Sequence, residues 1–353
     1  MASRYKFIDI LRGLAILFMV LNHTARWWLD KSLSFFSYHM IYSTVTLAAP
    51  LFLFVVGFCL VISYQKNLKS KTNWQIVSKY LIRGFGVIVI GYIFSLVVFG
   101  FGDIWGGKVL QAIGASIIVS LPILYLLQFK RAIKYLIGLA CLLPISFWLL
   151  FQPFSAWLNG HFWIGEIFFK EFPLWPYFSL VLFGLILGKY FVDYSSDPDK
   201  LKTFFVQVFN WGFGLVVSAL VLVLARSVIF RVPLISFEND YALNHCWIPG
   251  IITSIWIVGA ILLILSFSYF SANKLGRASF WLEKLGQSAL FVYIFHHLIV
   301  FNIFSVFLNF RLNSIFLYFV DVFTLILFLV YGAKFWLWGR GRIFNHQFPI
   351  FKQ

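Results

Sequence analysis

The sequence predicts an all-α, polytopic transmembrane bundle of about ten helices, with both termini on the cytoplasmic side. Three observations predict it. Hydrophobic types make up 61% of the 353 residues and charged types only 11%, against about 25% charged in a soluble domain. Apolar runs of about 18 or more residues recur along the whole chain, and a bilayer-crossing helix takes about 20. Lysine and arginine gather in short segments between those runs, the pattern that fixes membrane topology.

Hydropathy predicts helices over residues 7–28, 43–64, 82–101, 110–128, 135–151, 174–192, 204–225, 248–270, 287–309 and 315–333. The first follows Arg4 and Lys6 and ends in Asn22-His23-Thr24 and Trp27-Trp28. It has no small-x-small cleavage site, so it reads as a retained helix rather than a signal peptide. Each later pair of helices is framed by a basic segment: Lys66 to Arg83 before the third, Lys130 to Lys134 before the fifth, Lys189 to Lys202 before the seventh, Lys274 to Lys284 before the ninth, and Lys334 onward after the tenth. With the N-terminus inside, 21 of the 28 basic residues lie inside and 7 outside, namely Arg26, Lys31, Lys108, Lys170, Arg226, Arg231 and Arg311. Adding or dropping one helix would mix the two sets. No hydrophilic stretch is long enough for a soluble domain, so residues 1–353 read as one membrane domain.

The formal net charge of +16 would suggest nucleic acid in a soluble protein. Here it is topology charge, and nucleic acid is excluded as a partner; membrane lipid is expected. Cys59, Cys141 and Cys246 show neither disulfide nor zinc spacing. No metal is expected, since no His/Glu spacing typical of a metal site and no phosphate-binding glycine loop occurs. Two longer outer segments, 152–173 and 226–247, mix charges with aromatics, among them Trp163 and Glu166. They suit a polar acceptor such as a sugar, and equally suit a cap on the bundle.

Charged groups at membrane depth are costly and are functional candidates by default. The first helix holds the densest set: Asp9, Arg12, Asn22 and His23. Asp9 and Arg12 are three apart and share a face. Arg12 and His23 are eleven apart, close to three turns, so they share a face about 16 Å apart along the axis. A long ligand with an anionic head at Arg12 and a reactive tip at His23 fits that face, and coenzyme A has such a shape. The plainer alternative is that Arg12 is only a topology charge and His23 only packs a helix end. Weaker candidates are Tyr293, His296 and Asp321 late in the chain, Gln111 at the start of the fourth helix, and His39 in the first outer loop. Adjacent His296 and His297 lie about 100° apart on a helix, so one narrow face takes only one of them.

At this point the residues resemble a known family. Arg12, ten intervening residues and His23 resemble the arginine–histidine motif of the acyltransferase-3 membrane enzymes. The rest is more similar to the heparan-α-glucosaminide N-acetyltransferase family. Leu47-Ala-Ala-Pro50, Val109-Leu-Gln111, Pro173-Leu-Trp-Pro176 with Gly184 and Gly188-Lys189, and Gly286-Gln287-Ser288 with Tyr293 and His296 carry that likeness in order.

The resemblance implies acyl transfer, usually of acetyl, from cytoplasmic acetyl-CoA as co-substrate to a sugar hydroxyl or amine on an envelope glycan or amino sugar. It implies His23 as base, with His39 as the alternative; Asn22 or Tyr293 is the candidate for holding the oxyanion. Arg12, with Asp9, Lys79, Arg83 and Gln111, falls on the donor side. Trp163, Glu166, Tyr293, His296 and Asp321 fall on the acceptor side. Without the lumenal extension of the human-type member, the likeness implies a multi-pass protein of the bacterial inner membrane, and a homodimer is compatible with the sequence. The rival class is a transporter or flippase, which would show an internal two-fold repeat; none is visible.

Overall fold

The structure, a computed structural model, describes residues 5–30, 47–159, 172–231, 250–274 and 276–347. The described chain is helical, and ten helices are long and apolar enough to cross a membrane. In order these are α1 Lys6–Trp28, α2 Ala48–Leu68, α3 Asn73–Phe99, α4 Val109–Leu126, α5 Lys130–Asn159, α6 Leu174–Tyr194, α7 Pro198–Phe230 and α8 Ile251–Lys274. A short α9 at Phe280–Gln287 follows, then α10 at Ala289–His297, which widens into π-helical turns over Leu298–Phe307, and α11 at Ile315–Gln347.

The helix count matches the hydropathy, but several ends do not. The expected third helix began at 82; α3 begins at Asn73. Its start is set by a capping box, in which Gln75 N–H donates to Thr72 Oγ1 (3.4 Å) and Thr72 N–H to Gln75 Oε1 (3.1 Å). The expected seventh helix began at 204; α7 begins at Pro198, capped by Asp197, whose carboxylate accepts from the backbone of Asp199 (3.2 Å) and Lys200 (3.1 Å). The backbone N–H of Lys200, and then its ammonium, hold the Asp197 carboxyl below the usual carboxylate range. The helix expected over 287–309 is met by α10 with its π-helical turns, Ala289–Phe307; the short α9 before it, set off at Ser288, was not expected.

Contacts divide the chain into two compact units, Met1–Ala48 with Phe267–Gln353, and Ala49–Ser266. In the first, α1 lies against α9, and a reciprocal pair of glycines sets the approach. A Cβ on Gly13 would stand 2.1 Å from the Leu282 carbonyl oxygen, and one on Gly286 only 2.0 Å from that of Asp9. Neither position has room for a side chain. Small residues bring membrane helices this close because backbone packing, not hydrophobic burial, is what drives helices together in lipid. Farther along α1, Trp28 Nε1–H donates to Val300 O (3.1 Å) and Tyr318 O–H to Leu21 O (2.9 Å). Backbone bonds from Asp30 N to Leu312 O (2.8 Å) and Leu312 N to Trp28 O (2.7 Å) pin the end of α1 to the turn before α11.

In the second unit, α3 and α4 pack as a hairpin, and α5 packs on α6. Gly57 of α2 and Gly184 of α6 repeat the glycine device: each Cβ would meet a carbonyl oxygen of the other helix at 2.1 Å. Trp175 Nε1–H donates to Leu143 O (3.1 Å), tying α6 to α5.

Candidate active site

Two polar groups occupy the two ends of α1. At its start Asp9 is buried, 2% exposed. Its carboxylate takes the Arg12 guanidinium at 3.5 Å through Oδ1 and the Gln287 amide at 3.3 Å through Oδ2. Gln287 in turn accepts from Lys284 Nζ (3.4 Å), and Lys6 pairs with Glu283 at 3.1 Å. The two helices that the glycines bring together are thus bridged by side chains as well. Arg12 is half-buried, with Asp9 fixing one edge of its guanidinium fork.

At the other end His23 meets both histidines of α10. His23 Nδ1 lies 2.9 Å from His296 Nε2. The two rings are parallel and edge to edge, 5.2 Å between centroids, and His23 meets His297 edge-on at 4.3 Å. Trp27 also joins the cluster, 4.9 Å from the His23 ring and 5.6 Å from that of His297. Tyr293, also buried, lies 5.0 Å from His297.

The hydrogen bonds assign the protons of this group when its rings are neutral. His296 Nδ1 is 3.0 Å from Val292 O, and His297 Nδ1 is 3.0 Å from Tyr293 O. A carbonyl oxygen only accepts, so both Nδ1 atoms carry hydrogen. His296 Nε2 is then an acceptor, and the hydrogen in the 2.9 Å bond belongs to His23 Nδ1. What remains on His23 is an Nε2 lone pair, the form a general base needs.

The sequence-predicted residues separate accordingly. Asp9 and Arg12 form one group; His23, His296 and Tyr293 form the other. Asn22 is half-buried beside His23. Lys79, Arg83 and Gln111 belong to the second unit. There Lys79 Nζ donates to Asn67 Oδ1 (3.2 Å), Arg83 is exposed, and Gln111 is buried and donates to Ser95 Oγ (3.4 Å). Asp321, half-buried on α11, makes no hydrogen bond or ion pair among the described residues. His39, Trp163 and Glu166 lie outside the described residues.

Sequence reasoning missed His297, Trp27 and the tie of Gln287 to Asp9. The signal for the first was the adjacent pair itself. His23 faces the groove between two directions about 100° apart on α10, so both neighbours reach it.

Residues 4–211 match the family model for the catalytic region of heparan-alpha-glucosaminide N-acetyltransferase. The match contains Asp9, Arg12 and His23 and ends before α9 and α10. No protein of curated function matches the chain.

Proposed function

The chain belongs to the heparan-alpha-glucosaminide N-acetyltransferase catalytic family, a family of membrane acetyltransferases, and on that premise we propose that it carries acetyl from cytoplasmic acetyl-CoA to a sugar hydroxyl or amine across the membrane. His23 is the general base, and both termini lie on the donor side. The membrane is the bacterial inner membrane, and the acceptor is an envelope glycan or amino sugar.

In this reading the acceptor O–H or N–H gives its proton to His23 Nε2 while its heteroatom attacks the thioester carbonyl. A C–O or C–N bond forms and the C–S bond breaks. The departing thiolate takes the proton back from the imidazolium, so the histidine ends as it began. His296 is a positioning residue: by accepting the Nδ1 hydrogen it holds His23 in the tautomer with Nε2 bare, the part a carboxylate plays in serine hydrolases. An imidazole in that place keeps the group neutral, which suits a site at membrane depth better than a buried carboxylate. Arg12 sits about three turns away on the same helix face, where a planar guanidinium suits a donor phosphate. These parts all lie in one compact unit.

The observation that carries the reading is the hydrogen-bond chain from Val292 O through His296 to His23. Its test is acetyl transfer from labelled acetyl-CoA to a panel of envelope sugars. His23→Ala abolishes transfer while acetyl-CoA still stabilises the purified protein against heat. Full transfer in His23→Ala, with loss in His39→Ala, would move the base to His39. A protein that acetyl-CoA does not stabilise, and that transfers nothing, would favour the transporter class.

A further inference from the structure

Three imidazoles converge where general-base chemistry needs two. One ligand nitrogen from each of His23, His296 and His297 lies within 4.8 Å of the others. His296 and His297 are buried, and His23 is half-buried, leaving an approach from its side. The Nδ1–H groups of His296 and His297 are both committed to backbone carbonyls at 3.0 Å. That makes each Nε2 the acceptor nitrogen of its ring, His296's taking the His23 hydrogen, and it is also the outer-shell arrangement of metal-bound histidines, which donate their second ring N–H to a carbonyl or carboxylate.

We propose that His23, His296 and His297 form a three-imidazole site for a divalent late first-row ion such as Zn²⁺, and that occupying it silences His23 as a base. The second half rests on the function proposed above; the first does not. Imidazole donors select zinc, copper and nickel over magnesium and calcium. Three histidines with a fourth position open are a known zinc donor set. Tetrahedral ligand nitrogens about 2.0–2.1 Å from zinc stand roughly 3.3 Å from one another. The 2.9 Å pair must open slightly and the wider spacings close by about an ångström or more, shifts within reach of side-chain rotation.

The proton balance is simple. His23 is neutral with its hydrogen on Nδ1. If the ion takes Nδ1, that hydrogen moves to Nε2 and the base is lost; if the ion takes Nε2, the lone pair is consumed directly. Neither case releases a proton. The exposed Arg26, whose guanidinium stands 6.0 Å over the Trp27 ring, weakens cation binding, but water screens it.

The test uses the full chain in detergent with any affinity tag removed. Zn²⁺ is titrated by calorimetry, and Co²⁺ serves as the spectroscopic probe. We expect one equivalent of Zn²⁺, no binding of Mg²⁺, and a Co²⁺ visible spectrum of the intense four-coordinate type. His297→Asn and His296→Asn each weaken Zn²⁺ at least about 100-fold, the upper range for losing an outer-shell partner and therefore a floor for losing a ligand. Zn²⁺ suppresses acetyl transfer by the wild type, and a chelator restores it. No Zn²⁺ uptake by the wild type, or a six-coordinate Co²⁺ spectrum, overturns the site without reference to any variant's folding. Undiminished affinity in folded His297→Asn also overturns it. One equivalent bound with transfer unaffected keeps the site and overturns the silencing, and with it the role of His23 as base.

Discussion

The two ends of α1 handle polarity inside a membrane protein in opposite ways. Around Asp9 the chain uses charge: a buried carboxylate held by a guanidinium and an amide, with Lys6 and Glu283 paired nearby. Around His23 it uses imidazoles that, when neutral, pass their Nδ1 hydrogens to backbone carbonyls or to one another. The charged end is braced and fits a ligand that brings its own charge. The neutral end keeps a lone pair on His23 Nε2 and suits proton acceptance. Burying an ion pair is costly unless its geometry is good, whereas a neutral imidazole chain needs only donors and acceptors in sequence.

Substitutions can break this contrast, in descending order of effect. His23→Ala lowers kcat/KM by about 10²–10⁴, measured as acetyl transfer with thermal stabilisation by acetyl-CoA as the control for folding. His296→Phe keeps a ring but loses the acceptor. It lowers kcat by about 10- to 100-fold with KM for acetyl-CoA unchanged, whereas a purely structural role would move both through loss of folded protein. Gly286→Ala drives a methyl into the Asp9 backbone and costs about 1–3 kcal/mol of stability, read by thermal unfolding in detergent. Arg12→Lys raises the acetyl-CoA KM about tenfold, because an ammonium cannot reproduce bidentate phosphate contact, and leaves kcat alone; a fall in kcat with KM unchanged would place Arg12 at the chemistry instead.

The smallest effect sharpens the comparison from outside the membrane. Asp197 is an exposed cap whose carboxyl lies below its ordinary value of 3.8. Its stabilisation is whole above that value and fades as pH falls through the lower folded value. Asp197→Ala therefore removes a small increment of stability at neutral pH and none in strong acid, by thermal unfolding at the two pH values.

How much of this was legible in the sequence follows from what each signal reports. Ten helices were legible because hydropathy measures length in lipid. Their ends were not, because Thr72 with Gln75 and Asp197 with Pro198 start α3 and α7 outside the apolar window. The short α9 was not legible, because Glu283, Lys284 and Gln287 keep it out of any apolar window. Within the site, the Asp9–Arg12 pair and His23 were legible from spacing on one helix. The contacts of His23 with His296 and His297 were not, since 273 and 274 residues separate them and no local period records the pairing. Treating α10 as having one narrow working face discarded His297, whereas a groove residue on the opposing helix is met from two directions.

The close approach at Gly13 and Gly286 reaches beyond its own packing. His23 stands ten residues past Gly13, about 15 Å along a single rigid rod. The glycine contact is the fulcrum and the imidazole the far end of a lever. A substituent that wedges α1 away from α9 tilts that rod, and the displacement is carried to a hydrogen bond of 2.9 Å that tolerates only a few tenths of an ångström. Two residues with no side chain thereby act as the adjustment screw of the His23–His296 hydrogen bond.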